Sequence, residues 1–297
     1  MTKRDWLEIK ARVAGTLADT VADLMEQLGA LSVTWQDAAD SPILEPKPGE
    51  RRLWPDTEVT GLFTKDADKE AILSTLTAIL GDHVPLAALD LEDQDWVRAW
   101  MDNFKPLQCA SNLWICPSWC TPPDPGAAVV MLDPGLAFGT GTHPTTFLCL
   151  KRLAALRFTG KRIIDYGCGS GILAIAALKL GAASALGVDI DEQALIASRD
   201  NATRNGVAER LSLFLSPAQQ PQEKAPVVVA NILAGPLTEL EPVLASLCES
   251  DGTLLLSGLL DEQADEICEA YARDFLPVYR EVREGWALLE LKRLSQA

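Results

Sequence analysis

A glycine turn between a buried strand and a helix constrains the fold of this 297-residue chain more than any other feature. Residues 163–171 read IIDYGCGSG, and a second apolar strand ends at Asp189. Glycines at this turn let a ligand lie against the backbone, because no Cβ stands in the way. A carboxylate about 20 residues further on, at the end of the next strand, can accept both hydroxyls of a ribose. The order of strand, glycines, helix, strand and acid predicts a pocket for an adenosine-containing cofactor.

The spacing of the glycines indicates which cofactor binds. Dinucleotide-binding domains use G-x-G-x-x-G and place a pyrophosphate at a helix N-terminus. Here the spacing is G-x-G-x-G, and Asp165 stands two residues ahead of Gly167. S-adenosylmethionine has no phosphate and carries a sulfonium cation, so an acid beside the glycines favours its binding. We therefore predict S-adenosylmethionine rather than the cofactor of a dehydrogenase, with Gly167 and Gly169 against it and Asp165 facing its ammonium or sulfonium group.

After Lys161, apolar strands alternate with helices, which is the pattern of a parallel sheet covered on both faces. The predicted strands are 162–166, 185–190, 211–215, 226–231 and 253–258. The predicted helices are 172–181, 192–205, 237–248 and 262–272. Two further strands, at 278–281 and 286–291, flank an Arg-Glu-Gly turn and predict a closing hairpin. The fold class is α/β: a Rossmann-like class I S-adenosylmethionine-dependent methyltransferase domain, with a mostly parallel seven-stranded sheet and a terminal antiparallel hairpin.

The first hundred residues have a different pattern. Strands are predicted at 6–13, 31–35 and 58–63, with helices at 17–28 and 69–80. This order predicts a small α+β ferredoxin-like domain. We place it at residues 1–89, followed by a linker helix at 90–108 and the methyltransferase domain at 109–297.

The composition limits the partners. A net charge of -16 repels nucleic acid and anionic membranes, and it attracts basic proteins. The start of the chain lacks the apolar region of a signal peptide, and no apolar run reaches membrane-spanning length, so we expect a cytoplasmic protein. The seven cysteines form no C-x-x-C pair and only two histidines are present, so neither disulfides nor a metal site is expected. No heptad or dimer surface is evident, and we expect a monomer.

Two other residues are candidates for the chemistry. Asn231 ends an apolar strand, and ligands of parallel α/β sheets bind at the carboxyl ends of strands. Its amide carbonyl can accept a hydrogen bond from a substrate N–H, although Asn is also common in turns. His143 lies in a turn-rich loop at 132–146 that is expected to close over the ligand, and it is either a base or a structural hydrogen-bonding residue. Similarly, Asp189 either binds the ribose or caps the next helix, with Asp191 an equal candidate for the cap.

Three motifs together carry a family resemblance: LDPGLAFGTGTHPTT at 132–146, DYGCGSG at 165–171 and NILAG at 231–235. The combination resembles the ribosomal protein L-eleven (L11) methyltransferase family, PrmA, over most of the chain. The resemblance implies an N-terminal substrate-recognition domain, a linker helix and a C-terminal catalytic domain. It implies transfer of methyl groups from S-adenosylmethionine to the N-terminal α-amine and lysine ε-amines of L11, a basic large-subunit protein, giving trimethylated products. The residues it implies for cofactor binding are Thr146, Gly167, Gly169, Asp189 and Asn231.

The chemistry is consistent with an amine substrate. Ile-Leu follows Asn231, where glutamine and adenine methyltransferases have Pro-Pro-aromatic, so the stacking platform for a planar amide or base is missing. Deprotonating a lysine near pH 7 costs about 4.6 kcal/mol, and a neighbouring sulfonium and burial both lower that cost. Water can then take the proton, so no dedicated base is required. We predict that the Asn231 side chain and the Ile232 backbone carbonyl orient the nitrogen lone pair.

Three alternatives stay open at this point. The chain could be a protein-glutamine N-methyltransferase or a small-molecule N-methyltransferase on the same fold. It could also bind S-adenosylmethionine without catalysis and act as a ribosome-assembly partner.

Overall fold

The computed structural model describes residues 6–39, 53–91, 104–124, 126–133, 141–216, 219 and 223–295. It divides into two compact units, residues 1–103 and 104–297. In the part of the chain that is described, no helix is both long and apolar enough to cross a membrane.

The N-terminal unit is a four-stranded antiparallel sheet with two helices. Its elements are β1 (Trp6–Ala14), α1 (Gly15–Gln27), β2 (Ser32–Asp37), β3 (Asp56–Thr64), α2 (Lys69–Leu80) and β4 (Leu86–Leu91). The strand order is β2-β3-β1-β4, and every neighbouring pair is antiparallel. Alternate residues of β1, from Leu7 to Val13, are buried with α1 and α2, as expected for a sheet with one covered face. The ferredoxin-like prediction is confirmed, and β4 is the strand that the sequence did not indicate.

The C-terminal unit contains the large sheet. Its strands are β8 (Arg162–Tyr166), β9 (Ser184–Asp189), β10 (Leu211–Leu215), β11 (Ala225–Asn231), β12 (Cys248–Leu260), β13 (Phe275–Arg283) and β14 (Trp286–Arg293). Their order is β10-β9-β8-β11-β12-β14-β13, with β14 antiparallel to both of its neighbours. The first five strands of this order are parallel to one another. The predicted seven-stranded sheet with a terminal antiparallel hairpin is therefore confirmed.

Helices cover both faces of this sheet. They are α3 (Pro144–Ala155), α4 (Ile172–Lys179), α5 (Glu192–Arg204), α6 (Ala234–Glu239), α7 (Glu241–Leu247) and α8 (Ala264–Tyr271). Neighbouring residues of one strand enter different cores: Val227 and Val229 pack with α3 and α4, whereas Val228 packs with α6, α7 and α8. Because both faces are buried, the strands are continuously apolar and alternation disappears. A smaller sheet, β5 (Leu107–Ala110), β6 (Leu113–Cys116) and β7 (Ala128–Met131), precedes α3.

Several boundaries differ from the sequence predictions: β12 begins five residues earlier than expected, and the last three residues of the loop predicted at 132–146 form the first turn of α3. Two of the differences concern whole helices. The single helix expected at 237–248 is wrong, since α6 and α7 meet at Leu240. Pro242 has no N–H, and its ring would clash with the carbonyl four residues earlier in a continuous helix, so the chain breaks there. The linker helix predicted at 90–108 is wrong at both ends, because residues 90–91 belong to β4 and residues 107–108 belong to β5. Residues 92–103 lie outside the described residues. A linker helix over those residues stays a prediction.

Ion pairs attach α3 to the C-terminal hairpin β13–β14. Arg152 pairs with Glu290 on β14, and Lys151 pairs with Glu281 on β13. The carboxylate of Glu290 is 9% exposed, whereas the Lys151 side chain is 47% exposed. The guanidinium of Arg283 also lies 4.0 Å from the centroid of the Phe147 ring on α3. These contacts fix α3 against the hairpin along its length.

We expect the two adjacent ion pairs to differ in their contribution to stability. Arg152→Met leaves a buried carboxylate without its partner, which should lower the free energy of unfolding by about 2–3 kcal/mol. Lys151→Met removes an exposed pair and should cost less than about 1 kcal/mol. Urea denaturation followed by circular dichroism measures both changes. Equal losses in the two variants would show that burial of Glu290 does not determine the effect.

Candidate active site

A cavity of about 580 Å³ opens at the carboxyl ends of the parallel strands. This volume lies in the range of small-molecule sites, and the position is the one where parallel α/β sheets bind ligands. The residues that line the cavity are His143, Thr145, Tyr166, Gly167, Gly169, Asp189, Ile190, Ser216, Asn231, Ile232, Leu233, Pro236, Leu240, Gly258 and Trp286. Of the predicted site residues, Gly167, Gly169, Asp189, Asn231 and Ile232 are thus brought together, and Thr146 lies outside the lining.

The glycine turn folds tightly against the end of β9. Gly167 and Gly169 both have φ in the left-handed region, at 77° and 53°. The N–H groups of Gly167 and Cys168 both donate to the carbonyl of Val188, at 2.7 and 3.0 Å. A Cβ on Gly167 would lie 2.4 Å from Cγ2 of Ile232, so no other residue fits at this position. The turn therefore exposes its backbone to the cavity and packs directly against the residue after Asn231.

Asp189 lies at the end of β9 with its carboxylate held by backbone donors. Oδ2 accepts from the N–H of Gly169 at 2.8 Å, and Oδ1 accepts from the N–H of Asp191 at 3.0 Å. The helix cap, for which Asp189 and Asp191 were equal candidates, is Asp191: its side chain accepts from the N–H of Gln193 at 2.9 Å and caps α5. Each oxygen of Asp189 retains acceptor capacity toward the cavity.

Helix α5 supports the glycine turn from behind. Ser198 donates to the carbonyl of Gly169 at 2.9 Å, and Asn201 donates to the carbonyl of Ser170 at 2.9 Å. Ser198 also contacts the turn closely, since a Cβ on Gly171 would lie 2.8 Å from its hydroxyl. The sequence prediction missed both residues. Their three-residue spacing, which places them on one face of a helix, was the available signal.

Asp165 lies beneath the turn rather than in the cavity lining. It is fully buried, and its Oδ2 accepts from the N–H of Ala174 at 3.0 Å, in the first turn of α4. Its Oδ1 has no partner among the described residues. Burial raises the pKa of Asp165 to about 7, and the charge of Asp189 raises it further, against the effect of the Ala174 N–H. Asp165 is not among the residues that line the cavity and supports the turn through Ala174, and its facing the cofactor stays a prediction.

Asn231 ends β11 with its amide oriented by Thr146. Its Nδ2 donates to Oγ1 of Thr146 at 3.3 Å, and Thr146 is fully buried on α3. The Oδ1 atom is buried and has no partner among the described residues. A buried carbonyl oxygen without a donor costs free energy, so it indicates a ligand N–H. Thr146, predicted to bind the cofactor, here contacts the side chain that lines the cavity.

The backbone of Ile232 is held by a bulge in β12. Its N–H donates to the carbonyl of Ser257 at 3.1 Å, and the register with β14 shifts between Ser257 and Leu259. Gly258, inside this bulge, has φ of 87°. A Cβ there would lie 2.3–2.8 Å from the O, C and N atoms of Ile232. Gly258 is a site residue that the sequence did not indicate, because its function depends on a neighbouring strand.

His143 is the N-cap of α3. Its Nδ1 accepts from the N–H of Thr145 at 3.3 Å and lies 2.8 Å from the Thr145 hydroxyl. Its ring packs edge-to-face on Trp286, with ring centroids 5.0 Å apart. Burial lowers the pKa of His143, and the charge of Glu284 opposes that effect. His143 therefore has the structural role considered above: it caps α3 and supports the ring of Trp286.

Other polar groups complete the site. The hydroxyls of Tyr166 and Ser216 lie 3.3 Å apart beside β10. Burial raises the pKa of the Cys168 thiol in the glycine turn, which keeps it protonated and unreactive. Among the described residues, no group of three His, Cys, Asp or Glu side chains could hold a metal ion. Residues 134–140 of the predicted ligand-covering loop lie outside the described residues.

Comparisons with known proteins identify relatives of this architecture. A family model for ribosomal protein L11 methyltransferase (PrmA) matches residues 5–294. A curated relative with that name from Escherichia coli O81 (strain ED1a) is 57% identical over 277 residues, covering 91% of this chain and 93% of the relative. Another, from Actinobacillus succinogenes, is 54% identical over 283 residues, covering 95% and 97%. The crystal structure of a ribosomal protein L11 methylase from Lactobacillus delbrueckii subsp. bulgaricus matches with a TM-score of 0.60 and 34% identity, covering 64% of this chain and 100% of that chain.

We expect Asp165 to make stability depend on pH. Its pKa is raised from 3.8 to about 7, so the native state binds the proton more tightly than the unfolded chain. Its contribution to stability is full below the unfolded pKa and is lost as pH rises toward the folded one, by about 1.4 kcal/mol per pH unit. Asp165→Asn keeps an acceptor for Ala174 without titrating. The thermal midpoint of the wild type should fall relative to this variant as pH rises from 5.5 to 7.5, and a constant difference would contradict the assignment.

Proposed function

The chain belongs to the ribosomal protein L11 methyltransferase family, PrmA, and from this we propose that it methylates the N-terminal α-amine and lysine ε-amines of ribosomal protein L11 to trimethylated products. The family predicted from the three motifs is confirmed by the family model and by relatives 54–57% identical. The protein is an S-adenosylmethionine-dependent methyltransferase. The observation that carries the amine specificity is the buried, unpartnered Oδ1 of Asn231 in the cavity lining.

The residues of the cavity fit S-adenosylmethionine. Gly167 leaves no space for a Cβ and exposes its backbone, and Asp189 presents a carboxylate already oriented by two N–H groups. We assign Asp189 to the ribose hydroxyls, Gly167 and Gly169 to the backbone cradle, and Thr146 to orienting Asn231 beside the cofactor. When bound, S-adenosylmethionine supplies an electrophilic methyl group on a positively charged sulfur.

Asn231 and Ile232 orient the substrate nitrogen in this proposal. Nδ2 of Asn231 donates a hydrogen bond to Oγ1 of Thr146. This bond fixes the amide so that its Oδ1 can accept from a substrate N–H. Ile232 follows directly; its side chain packs against Gly167, and its backbone packs against Gly258. Two acceptors at fixed positions define the direction of the nitrogen lone pair, and such alignment lowers a barrier without proton transfer in the transition state.

No dedicated base is needed. The cavity lining contains one histidine, whose Nδ1 already accepts from Thr145, and burial lowers the pKa of that ring. Burial in the apolar cavity also lowers the pKa of the incoming amine, so it enters neutral after losing its proton to water. The Ile-Leu sequence after Asn231 supports an aliphatic amine over a planar amide, because Ile232 and Leu233 offer no aromatic face.

The first 89 residues are proposed to recognise the substrate, with the linker joining them to the catalytic domain. The net charge of -16 supports a basic protein as the partner and opposes direct binding of nucleic acid or membranes. We further propose that the protein acts as a monomer in the cytoplasm.

The proposal is tested by methyl transfer from labelled S-adenosylmethionine to purified ribosomal proteins, followed by intact mass. The expected result is a mass gain in steps of three methyl groups on L11. Cofactor binding with no transfer to any ribosomal protein would overturn the function and point to a small-molecule substrate or a non-catalytic role.

Asn231→Ala should lower the rate of methyl transfer to L11 by about 100-fold, because the amine loses one of two orienting acceptors. Asn112→Ala is the matched control, since Asn112 is exposed and donates to the Ala154 carbonyl away from the cavity. Single-turnover transfer measures both. Near-normal rates in Asn231→Ala would reject the orienting role.

Asp189→Asn should weaken binding of S-adenosylhomocysteine by about 10-fold to 100-fold, because one charged acceptor for the ribose is lost. Asp191→Asn, two residues further on, retains a helix cap and should leave the affinity nearly unchanged. Isothermal titration calorimetry gives both dissociation constants. The reverse ranking of the two variants would assign the ribose to Asp191.

A further inference from the structure

Each methyl transfer removes one N–H group from the substrate amine, so the hydrogen bonds to Asn231 and Ile232 are lost as methylation proceeds. This inference rests on the proposed function. A neutral primary amine has two N–H groups, a monomethylated amine has one, and a dimethylated amine has none. The two carbonyl acceptors can therefore orient the nitrogen in the first two transfers and cannot do so in the third. Another part of the cavity must hold the nitrogen for the last step.

The strand register places Asp189 and Trp286 on opposite sides of Asn231. Across the sheet, Asn231 of β11 is level with Ser257 of β12, and Ser257 is level with Leu288 of β14. Asp189 lies in the opposite direction, on β9 beyond β8. Trp286 is two residues from Leu288 on β14 and lines the cavity. The indole is thus on the side of Asn231 that faces away from the ribose carboxylate.

Several contacts hold Trp286 in this position. It follows a two-residue turn in which Glu284 and Gly285 both have positive φ, at 52° and 80°. His143 packs edge-to-face on its ring. The ion pair between Arg152 and Glu290 connects β14 to α3, the helix that His143 caps. The Trp286 ring is therefore supported at the cavity wall by the turn, by His143 and by the attachment of β14 to α3.

We propose that the indole face of Trp286 is the catalytic wall that holds the dimethylated amine for the third transfer. In that step the nitrogen lone pair forms the new N–CH3 bond as the S–CH3 bond breaks. The electron pair of the broken bond stays on sulfur, and the positive charge moves to nitrogen. No proton leaves in this step, because the product is a quaternary ammonium.

The physical basis is the attraction between a cation and an aromatic face. Trp is the strongest aromatic partner for cations, and quaternary ammonium groups are recognised by aromatic walls. Charge on nitrogen develops in the transition state, so the interaction is stronger there than with the neutral amine and accelerates the step. In the described lining the acidic residue is Asp189, which we assign to the ribose, and the tyrosine and tryptophan rings are those of Tyr166 and Trp286. The Tyr166 hydroxyl lies 3.3 Å from that of Ser216, beside β10, whereas Trp286 lies on the other side of Asn231, so we assign the developing charge to the indole.

Time-resolved intact mass of L11 measures the rate of each of the three transfers. Trp286→Leu should slow the third transfer about tenfold more than the first, so that dimethylated product accumulates. Trp286→Phe retains an aromatic face and should restore most of the third step. Val278→Ala, on the same hairpin but exposed and outside the cavity lining, is the control and should keep the wild-type ratio of rates.

A binding measurement gives a second readout. With S-adenosylhomocysteine bound, calorimetry gives the dissociation constants of trimethylated and unmethylated L11. We expect the wild type to bind trimethylated L11 more tightly, and we expect this difference in affinity to be smaller in Trp286→Leu. Equal slowing of all three steps, or trimethylation at the wild-type ratio, would overturn the role of Trp286. Failure of the proposed function is distinct, because the wild-type protein would then transfer no methyl group to L11.

Discussion

The close approach of Ile232 to two glycines is the constraint on which the site depends. Gly167, after β8, and Gly258, in the β12 bulge, both have positive φ, and neither leaves room for a Cβ. Their positions bring three neighbouring strands together at the residue that follows Asn231. The proposed cofactor cradle and the proposed amine-orienting acceptors are therefore parts of one packed arrangement around Ile232.

This arrangement suits the proposed mechanism, in which no residue acts as an acid or base. The side chains assigned to binding are oriented by hydrogen bonds: Asp189 by two backbone N–H groups and Asn231 by Thr146. The remaining lining is largely apolar, which disfavours the protonated amine. In the proposed mechanism, such a preorganised, desolvated site accelerates methyl transfer by alignment and by stabilising the charge that develops on nitrogen.

The sequence predicted what is encoded locally. The strand, glycine turn, helix and terminal acid all lie within 28 residues of chain, from Arg162 to Asp189, and the alternation of strands and helices determined the sheet. Residues whose roles come from distant strands were missed. Gly258 packs against the backbone of Ile232, which lies on a neighbouring strand. Trp286 lines the cavity from the terminal hairpin, whose sequence indicates only an edge of the sheet. The break between α6 and α7 was also missed, because Pro242 near a helix start is compatible with one helix or two.

The most direct test of the account is the effect of Gly258→Ala on the rate of methyl transfer to L11. Gly181→Ala is the control, since Gly181 also has positive φ, at 103°, but has no atom near its missing Cβ. We expect Gly258→Ala to reduce kcat by about 10-fold to 100-fold, because the displaced Ile232 backbone no longer orients the substrate nitrogen. Gly181→Ala should keep the wild-type kcat. A wild-type kcat in Gly258→Ala would contradict the central role of the Ile232 backbone.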